Sequence, residues 1–198
     1  MKKGLLTGLV IFAGIVVLWM VFFGGIYNRL VGSEEAVRSA WAQVQNVYQR
    51  RLDLIPNLVE TVKGYAAHEK ETLQKVIEAR AKASQMMISP DVINDPDRFA
   101  QFQQAQGSLS SVLSRLLVVI EKYPDLKANE NFLALQTQLE GTENRISVER
   151  MRYNQAAQEF NTLRRTFPNV FVANIAGFKE KAYFQAEEAA AKAPQVKF

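Results

Sequence analysis

An uncharged apolar segment near the N-terminus constrains this chain more than any other feature. It runs from Gly4 to Tyr27 without one charged residue, directly after Lys2 and Lys3. A helix rises about 1.5 Å per residue, so a helix of this length spans the roughly 30 Å hydrocarbon core of a bilayer. Residues 1–28 are therefore predicted to form a single transmembrane anchor, with the lipid bilayer as partner through residues 4–27.

The anchor is expected to remain uncleaved. A secretory signal peptide has a shorter apolar region, about 7–15 residues, followed by a small-x-small cleavage site. Here Phe22 and Phe23 precede the small pair Gly24 and Gly25, which fits such a site badly. The sequence contains no cysteine, which excludes disulfides, thiolate chemistry and processing at a lipid-modified cysteine.

The distribution of charge favours one orientation and gives no reason to expect nucleic-acid binding. Beyond the anchor, cations alternate with acids, which is typical of solvated helix surfaces, so the net charge of +4 does not indicate a nucleic-acid partner. Lys2 and Lys3 before the span slightly outweigh Arg29 and Arg38 after it. We therefore expect a single-pass membrane protein with a cytoplasmic N-terminus and its domain on the external side.

Apolar residues after residue 30 recur at spacings of three and four, which predicts helices and no sheet. Four long helices are expected, over about 33–53, 54–84, 96–123 and 129–166. Asp95 followed by Pro96 is a typical helix start. Short connections favour antiparallel neighbours. The predicted fold is all-α: the anchor, an elongated antiparallel four-helix bundle, and a short C-terminal helical tail near residues 179–193.

Three blocks of the sequence resemble the bacterial LemA family. They are DLIPNLVETVKGYAAHEKETLQKVIEARAKA (53–83), ENFLALQTQLEGTENRISVERMRYN (130–154) and GFKEKAYFQAEEAAAKAPQVKF (177–198). The resemblance implies that residues 29–198 form a LemA-like helical bundle domain behind a membrane anchor. It implies no established catalytic residues. It also implies partners among membrane or cell-envelope proteins, sometimes membrane proteases.

No catalytic, cofactor-binding or metal-binding residues are predicted, and no cofactor is expected. His68 and Glu69 begin like a zinc-protease helix, but position 72 holds Thr72 instead of histidine, and His68 is the single histidine of the chain. The sequence also lacks a GxSxG motif, a phosphate-binding P-loop and a dinucleotide-binding GxGxxG motif. We therefore predict that the protein is not an enzyme.

Four charged residues fall on the apolar stripes of the predicted helices: Arg51, Glu69, Arg80 and Glu149. A charge inside a bundle is costly unless it is paired and hydrogen-bonded. One interpretation is a site for a partner or an ion in the bundle centre. The favoured interpretation is structural: Arg51 or Arg80 pairs with Glu149 or Glu69 and fixes the helix register.

The predicted function is that of a non-enzymatic scaffold or adaptor for other cell-envelope or membrane proteins. The alternative is a membrane-surface module that senses or remodels lipid. Such a module needs aromatic and basic residues at its membrane-proximal end, and the C-terminal region supplies six: Phe171, Phe178, Lys179, Lys181, Tyr183 and Phe184. The competing interpretation is that these residues pack as a cap over the open end of the bundle.

The loop between the second and third helices, residues 85–95, is predicted to meet the bilayer surface. Counting helix lengths back from a turn near residues 53–54 brings this loop to the level of Gly24. Its apolar residues fit that position: Met86, Met87, Ile88, Val92 and Ile93. Alternatively these five side chains fold back under the bundle.

Overall fold

The computed structural model describes residues 2–66, 68–87 and 92–185, with side chains from residue 8 onward, and these residues form helices and no strand. The helices are α1 (Lys2–Tyr65), α2 (Lys70–Met87), α3 (Pro96–Ile120), α4 (Pro124–Lys127), α5 (Glu130–Arg165) and α6 (Asn169–Ala176), with a 3₁₀ turn at Val92–Asn94 before α3. The all-α fold is confirmed, with α1, α2, α3 and α5 as its long helices. Asp95 is the N-cap of α3, as predicted, and its carboxylate accepts from the backbone N–H groups of Asp97 and Arg98.

Helix α1 is one continuous element of 64 residues that contains both the apolar segment and the first bundle helix. The predicted turn near Asp53–Leu54 is therefore wrong, because α1 continues to Tyr65 and the chain reverses between Tyr65 and the start of α2 at Lys70. The predicted anchor (1–28) and the predicted first bundle helix (33–53) are joined through Gly32 in this one helix. As a result, α2 begins at Lys70 and is much shorter than predicted.

Pro56 lies inside α1 and explains the role of one stripe charge. Proline has no backbone N–H, so the carbonyl of Leu52, four residues earlier, loses its helical hydrogen bond. The Nε of Arg80, on α2, donates to that carbonyl at 2.8 Å. Arg80 thus replaces the missing backbone donor, and it pairs with no carboxylate of the described residues.

Helix α5 lies antiparallel to α1 along nearly the whole bundle. Near the distal end, the Asn129 side chain donates to the Tyr65 hydroxyl at 2.9 Å, just before α5 begins. The 36 residues of α5 extend about 54 Å. The end of α5 therefore lies level with Leu30, where the apolar segment of α1 has just ended.

Two cores fill the bundle because α2 covers only its distal half. The distal core lies between α1, α2, α3 and the start of α5, and includes Leu52, Ile55, Leu58, Val62, Leu73, Val76, Leu109, Leu116 and Phe132. The anchor-side core lies between α1, α3 and α5, and includes Val37, Trp41, Val44, Tyr48, Phe99, Phe102, Ile146, Tyr153 and Phe160. In the anchor-side half there is no fourth helix, and the chain after α6 packs in its place.

The loop before α3 is not a membrane-contacting surface in the residues described. Val92 and Ile93 are buried in the anchor-side core, and Met86 and Met87 are half-buried against it. The prediction that they meet the bilayer is wrong, and the fold-back alternative is correct for these four; Ile88 lies outside the described residues. The reason is the short α2, which leaves core positions for the loop to fill.

The apolar part of α1 has the properties of a membrane anchor. Among the described helices α1 is long and apolar enough to cross a bilayer, and none of its most apolar stretch is buried against the rest of the protein. A core helix of a soluble domain would be mostly buried. Exposure, length and composition therefore agree with the predicted transmembrane anchor.

We predict that Arg80 and Pro56 are energetically coupled. Arg80→Met should lower the free energy of unfolding by about 1–3 kcal/mol, because it leaves the Leu52 carbonyl without a donor. In the Pro56→Ala background the backbone N–H returns, so the same change should cost less, with a coupling of about 1 kcal/mol. Urea unfolding followed by circular dichroism measures the four variants.

Lys82→Met is the matched control, since Lys82 is exposed two residues further along α2, and it should change the stability by less than about 0.5 kcal/mol. Equal costs of Arg80→Met with and without Pro56 would contradict the role assigned to Arg80.

Candidate functional site

The tail segment, residues 178–185, is non-helical and lies in the groove between α1, α3 and α5. Three side-chain amides bind its backbone, each donating to a carbonyl and accepting from an N–H of the same residue. Asn161 binds Lys181 in this way, Asn154 binds Phe184, and Gln103 binds Gln185. An amide side chain offers one donor and one acceptor face, like a peptide unit, so the groove holds the tail as a neighbouring strand would.

The tail segment contradicts the helix predicted for this region. A helix was predicted near residues 179–193, but residues 179–185 are not helical. Residues 186–198 lie outside the described part of the chain. Backbone binding by Asn161, Asn154 and Gln103 competes with helix formation, because it uses the same N–H and carbonyl groups.

Phe184 anchors the tail segment in the anchor-side core. Its ring lies between 4.8 and 6.4 Å from those of four aromatic residues, Trp41, Phe99, Phe102 and Tyr153. The Tyr153 hydroxyl donates to the carbonyl of Ala182 at 2.9 Å. The tail segment is therefore part of the core, and completes the half of the bundle that α2 does not reach.

Lys181 joins three parts of the chain at the anchor end of the bundle. Its ammonium group is buried, and donates to the Glu34 carboxylate of α1 and to the Asn94 side chain of the turn before α3. The ring of Phe160 lies 5.0 Å from the same nitrogen. Because a buried cation must be paired, this contact fixes the tail segment relative to α1.

An open cleft of about 670 Å³ lies beside this ion pair, next to the end of the apolar segment. Its walls come from α1, from the turn before α3 with the first turn of α3, and from the end of α6 with the chain after it: Tyr27, Val31, Glu34, Glu35, Arg38, Asn94, Asp95, Arg98, Ala176, Gly177, Phe178 and Lys179. Three acidic and three basic side chains line it. This cleft is the candidate functional site, since it combines concave shape, charge of both signs and proximity to the anchor.

Arg51 is buried in the bundle, as its stripe position predicted, but its partner is Glu143 and neither predicted acid. One guanidinium nitrogen donates to Glu143 and to the Ser110 hydroxyl, each at 2.9 Å. The other donates to the side chain and carbonyl of Gln106. The continuation of α1 to Tyr65 sets this register, which the predicted turn at residue 53 could not give.

The two stripe glutamates have other partners. Glu149 pairs with Arg152 of the same helix at 2.8 Å, so the predicted pairing with Arg51 or Arg80 is wrong. Glu69 accepts from the Tyr123 hydroxyl at 3.0 Å and joins the α1–α2 turn to the end of α3. All four stripe charges thus have structural contacts.

Tyr48, Tyr123 and Tyr153 act as neutral hydrogen-bond partners. Burial raises the pKa of Tyr48, and outweighs the lowering by the neighbouring cations Arg150 and Arg51. Burial also raises the pKa of Tyr153, and the neighbouring Tyr183 raises it further. The hydrogen bond to Glu69 raises the pKa of Tyr123. Each hydroxyl stays protonated at neutral pH, so none of the three is a base.

His68 lies exposed in the turn between α1 and α2. Within the described residues, no group of three or more histidine, aspartate or glutamate side chains could hold a metal ion. The zinc-protease interpretation of His68 and Glu69 gains nothing from this geometry, because Glu69 already binds Tyr123.

Residues 40–198 of the chain match the sequence model of the LemA family. The chain belongs to the LemA family. This confirms the resemblance of the three sequence blocks.

Among similar proteins, the protein LemA of Metamycoplasma hominis is 29% identical over 164 residues, covering 83% of this chain and 71% of that protein. The magnetosome proteins MamQ 1 and MamQ 2 of Paramagnetospirillum magneticum are each 27% identical over 179 residues. These alignments cover 82% of this chain and 66%, slightly less than two thirds, of each MamQ protein.

The structure divides the six aromatic and basic residues of the C-terminal cluster. Phe184 and Lys181 are buried and Phe178 is half-buried, so these three pack inside the protein. They fill a side groove, so the predicted cap over the end of the bundle is wrong for them. Phe171, Lys179 and Tyr183 are exposed.

Sequence reasoning did not find the amide side chains that bind the tail. Asn154, Asn161 and Gln103 are ordinary helix residues by pattern, and no local signal marks a contact with a segment 20 to 82 positions away. The signal that existed was Asn161, a polar residue beside the apolar Phe160 on the inward face of α5, where it is buried.

Lys181→Met should destabilise the bundle by about 3 kcal/mol, because it leaves the partly buried Glu34 carboxylate without its main cation. This is the lower end of the usual range, since Arg38 still contacts Glu34 at 3.5 Å. Combining it with Glu34→Leu should recover much of the loss. Urea unfolding monitored by circular dichroism measures these differences.

Lys179→Met is the matched control, since Lys179 is exposed two residues away. A loss as small as that of Lys179→Met, below about 0.5 kcal/mol, would show that Lys181 faces water in solution.

Proposed function

We propose that this protein is a non-enzymatic, single-pass membrane scaffold or adaptor that presents its helical bundle to other membrane or cell-envelope proteins. The observation that carries the proposal is the continuity of α1 from the apolar segment to Tyr65. A single helix of this kind joins anchor and bundle without a linker. Surfaces of the bundle then lie at defined heights above the bilayer, which is what a docking scaffold requires.

The use of the polar groups supports this proposal over an enzymatic one. Arg51, Arg80 and Lys181 each join different helices or segments through hydrogen bonds. Groups committed to such contacts hold the bundle together and are not available for proton transfer. The family and relative names, LemA and magnetosome protein MamQ, do not denote enzymes.

The cleft beside Lys181 is the proposed docking surface. It lies at the level where a partner's transmembrane helix leaves the bilayer, and its side chains carry both signs of charge. A charged juxtamembrane segment of a membrane protein is the partner chemistry that fits. Charges of both signs favour specificity and orientation of the partner over affinity.

The proposed location is the bacterial inner membrane, with the N-terminus in the cytoplasm and the bundle on the external or periplasmic side. Lys2 and Lys3 support this orientation under the positive-inside rule. The alternative function, a lipid-sensing or remodelling module, loses support where Phe178, Lys181 and Phe184 pack inside the protein. The scaffold is therefore the better-supported function.

Site-specific photocrosslinking in native bacterial membranes tests the proposal. A photoreactive amino acid at Glu35 or Lys179, on the rim of the cleft, should give discrete adducts that contain an integral membrane protein identified by mass spectrometry. Val118, exposed on α3 at the distal part of the bundle, is the control position and should not give the same adducts.

Arg38→Glu reverses one charge of the cleft wall and should reduce the adduct formed from Lys179. Identical adduct patterns at all three positions, or none from a folded and membrane-inserted protein, would contradict docking at the cleft.

A further inference from the structure

We propose that α6 is a second membrane contact, which inserts Phe167, Phe171 and Ile175 into the bilayer surface beside the anchor. The partner is lipid: the boundary between headgroups and acyl chains. This inference depends on the transmembrane placement of α1 and is independent of the scaffold function.

The outward face of α6 is apolar and unusually exposed, and so is Phe167, two residues before the helix. Phe171 and Ile175 are four residues apart in α6 and share one side. The exposed fractions of Phe167, Phe171 and Ile175 are 81%, 57% and 87%. The rings of Phe167 and Phe171 contact each other at 5.9 Å. The helix itself, NVFVANIA, contains no charged residue. Such a face is costly in water and is typical of an interfacial helix.

The opposite face of α6 fixes its height on the anchor. Val172 and Ala173 are buried in a small cluster with Leu30 of α1, and Phe23 and Ile26 pack against that cluster. Phe23 and Leu30 are separated by about 10 Å along the helix axis. Counting from Gly4, the roughly 30 Å of hydrocarbon ends at Phe23, so α6 lies at the level of the interface.

The end of α6 is held so that this face cannot turn toward the protein. Gly177 adopts the left-handed conformation, with φ of 76°, and the N–H of Phe178 donates to the Ala173 carbonyl at 3.0 Å. The Phe178 ring lies 5.8 Å from that of Tyr27 on α1. Arg164 of α5 donates to the carbonyl of Phe178 at 2.8 Å.

The surroundings of α6 favour lipid over a protein as the occupant of this face. Arg165 precedes the helix and Lys179 follows it, both exposed, which suits contact with phosphate headgroups. These three side chains also provide far less than the roughly 800 Å² per partner that a stable protein interface buries. The anchor already places this face at the lipid interface, whereas binding a second copy would need additional contacts.

The test uses the full-length protein reconstituted in vesicles of phosphatidylcholine and phosphatidylglycerol, without any other protein. The sequence contains no cysteine, so Ile175→Cys carries a single environment-sensitive dye. We expect blue-shifted emission, with stronger quenching by lipids labelled high on the acyl chain than by lipids labelled near its end. Phe171→Cys is a second labelled variant and should behave alike.

Val118→Cys is the matched control, because Val118 is an apolar side chain exposed to 70% and far from the anchor. It should show aqueous emission and no quenching by lipid. Circular dichroism checks that each labelled variant keeps its helix content.

Three results would overturn the proposal. One is aqueous emission at residues 171 and 175, equal to that at 118. Another is a blue shift that disappears when the protein is diluted into more lipid, which would assign the face to a second copy. The last is a blue-shifted emission that occurs in native membranes but not in pure lipid vesicles, which would assign the face to a partner's transmembrane helix.

Discussion

A helix that spans a bilayer and then continues as the longest element of a bundle must satisfy its backbone hydrogen bonds along its whole length. In α1 this requirement is hardest to meet at Pro56, where the Leu52 carbonyl has no helical donor. Arg80 supplies the donor from a second helix. Because α1 therefore continues to Tyr65, α5 can run antiparallel to it for 36 residues and return the chain to the level of the membrane.

The unequal helix lengths explain the organisation of the anchor end. Helix α2 has 18 residues and covers only the distal half, so the other half of the bundle contains three helices and a groove. The tail segment fills that groove with Phe184 and Lys181, and both residues connect elements distant in sequence. The same route of the chain places the cleft and α6 next to the end of the apolar segment. The cleft and the α6 face, proposed to bind a partner and lipid, are thus placed by the shortness of α2.

Much of this fold could be predicted from local patterns, because the patterns report local physics. The spacing of Val37, Trp41 and Val44 identified the buried face of α1, and Asp95–Pro96 identified the start of α3. The turn predicted near residues 53–54 was wrong because α1 continues through Pro56, although proline usually ends or kinks a helix. The compensating hydrogen bond comes from Arg80, which is remote in sequence. The partner of Arg51 was wrong for the same reason, since helix register depends on where α1 ends. The contacts of the tail segment depend on the groove between α1, α3 and α5, which no local sequence pattern encodes.

The central claim, that α1 is one unbroken helix from the membrane to the distal end, is tested most directly by a distance measurement on the full protein in lipid nanodiscs. Asn28 is exposed, and a side chain added at Gly64 meets no neighbouring atom within 4 Å, so both positions accept spin labels. Double electron–electron resonance should give a narrow distribution centred near about 54 Å, the length of 36 helical residues. A broad distribution, or one centred well below this distance, would show a break at Gly32 or Pro56 and would contradict the account.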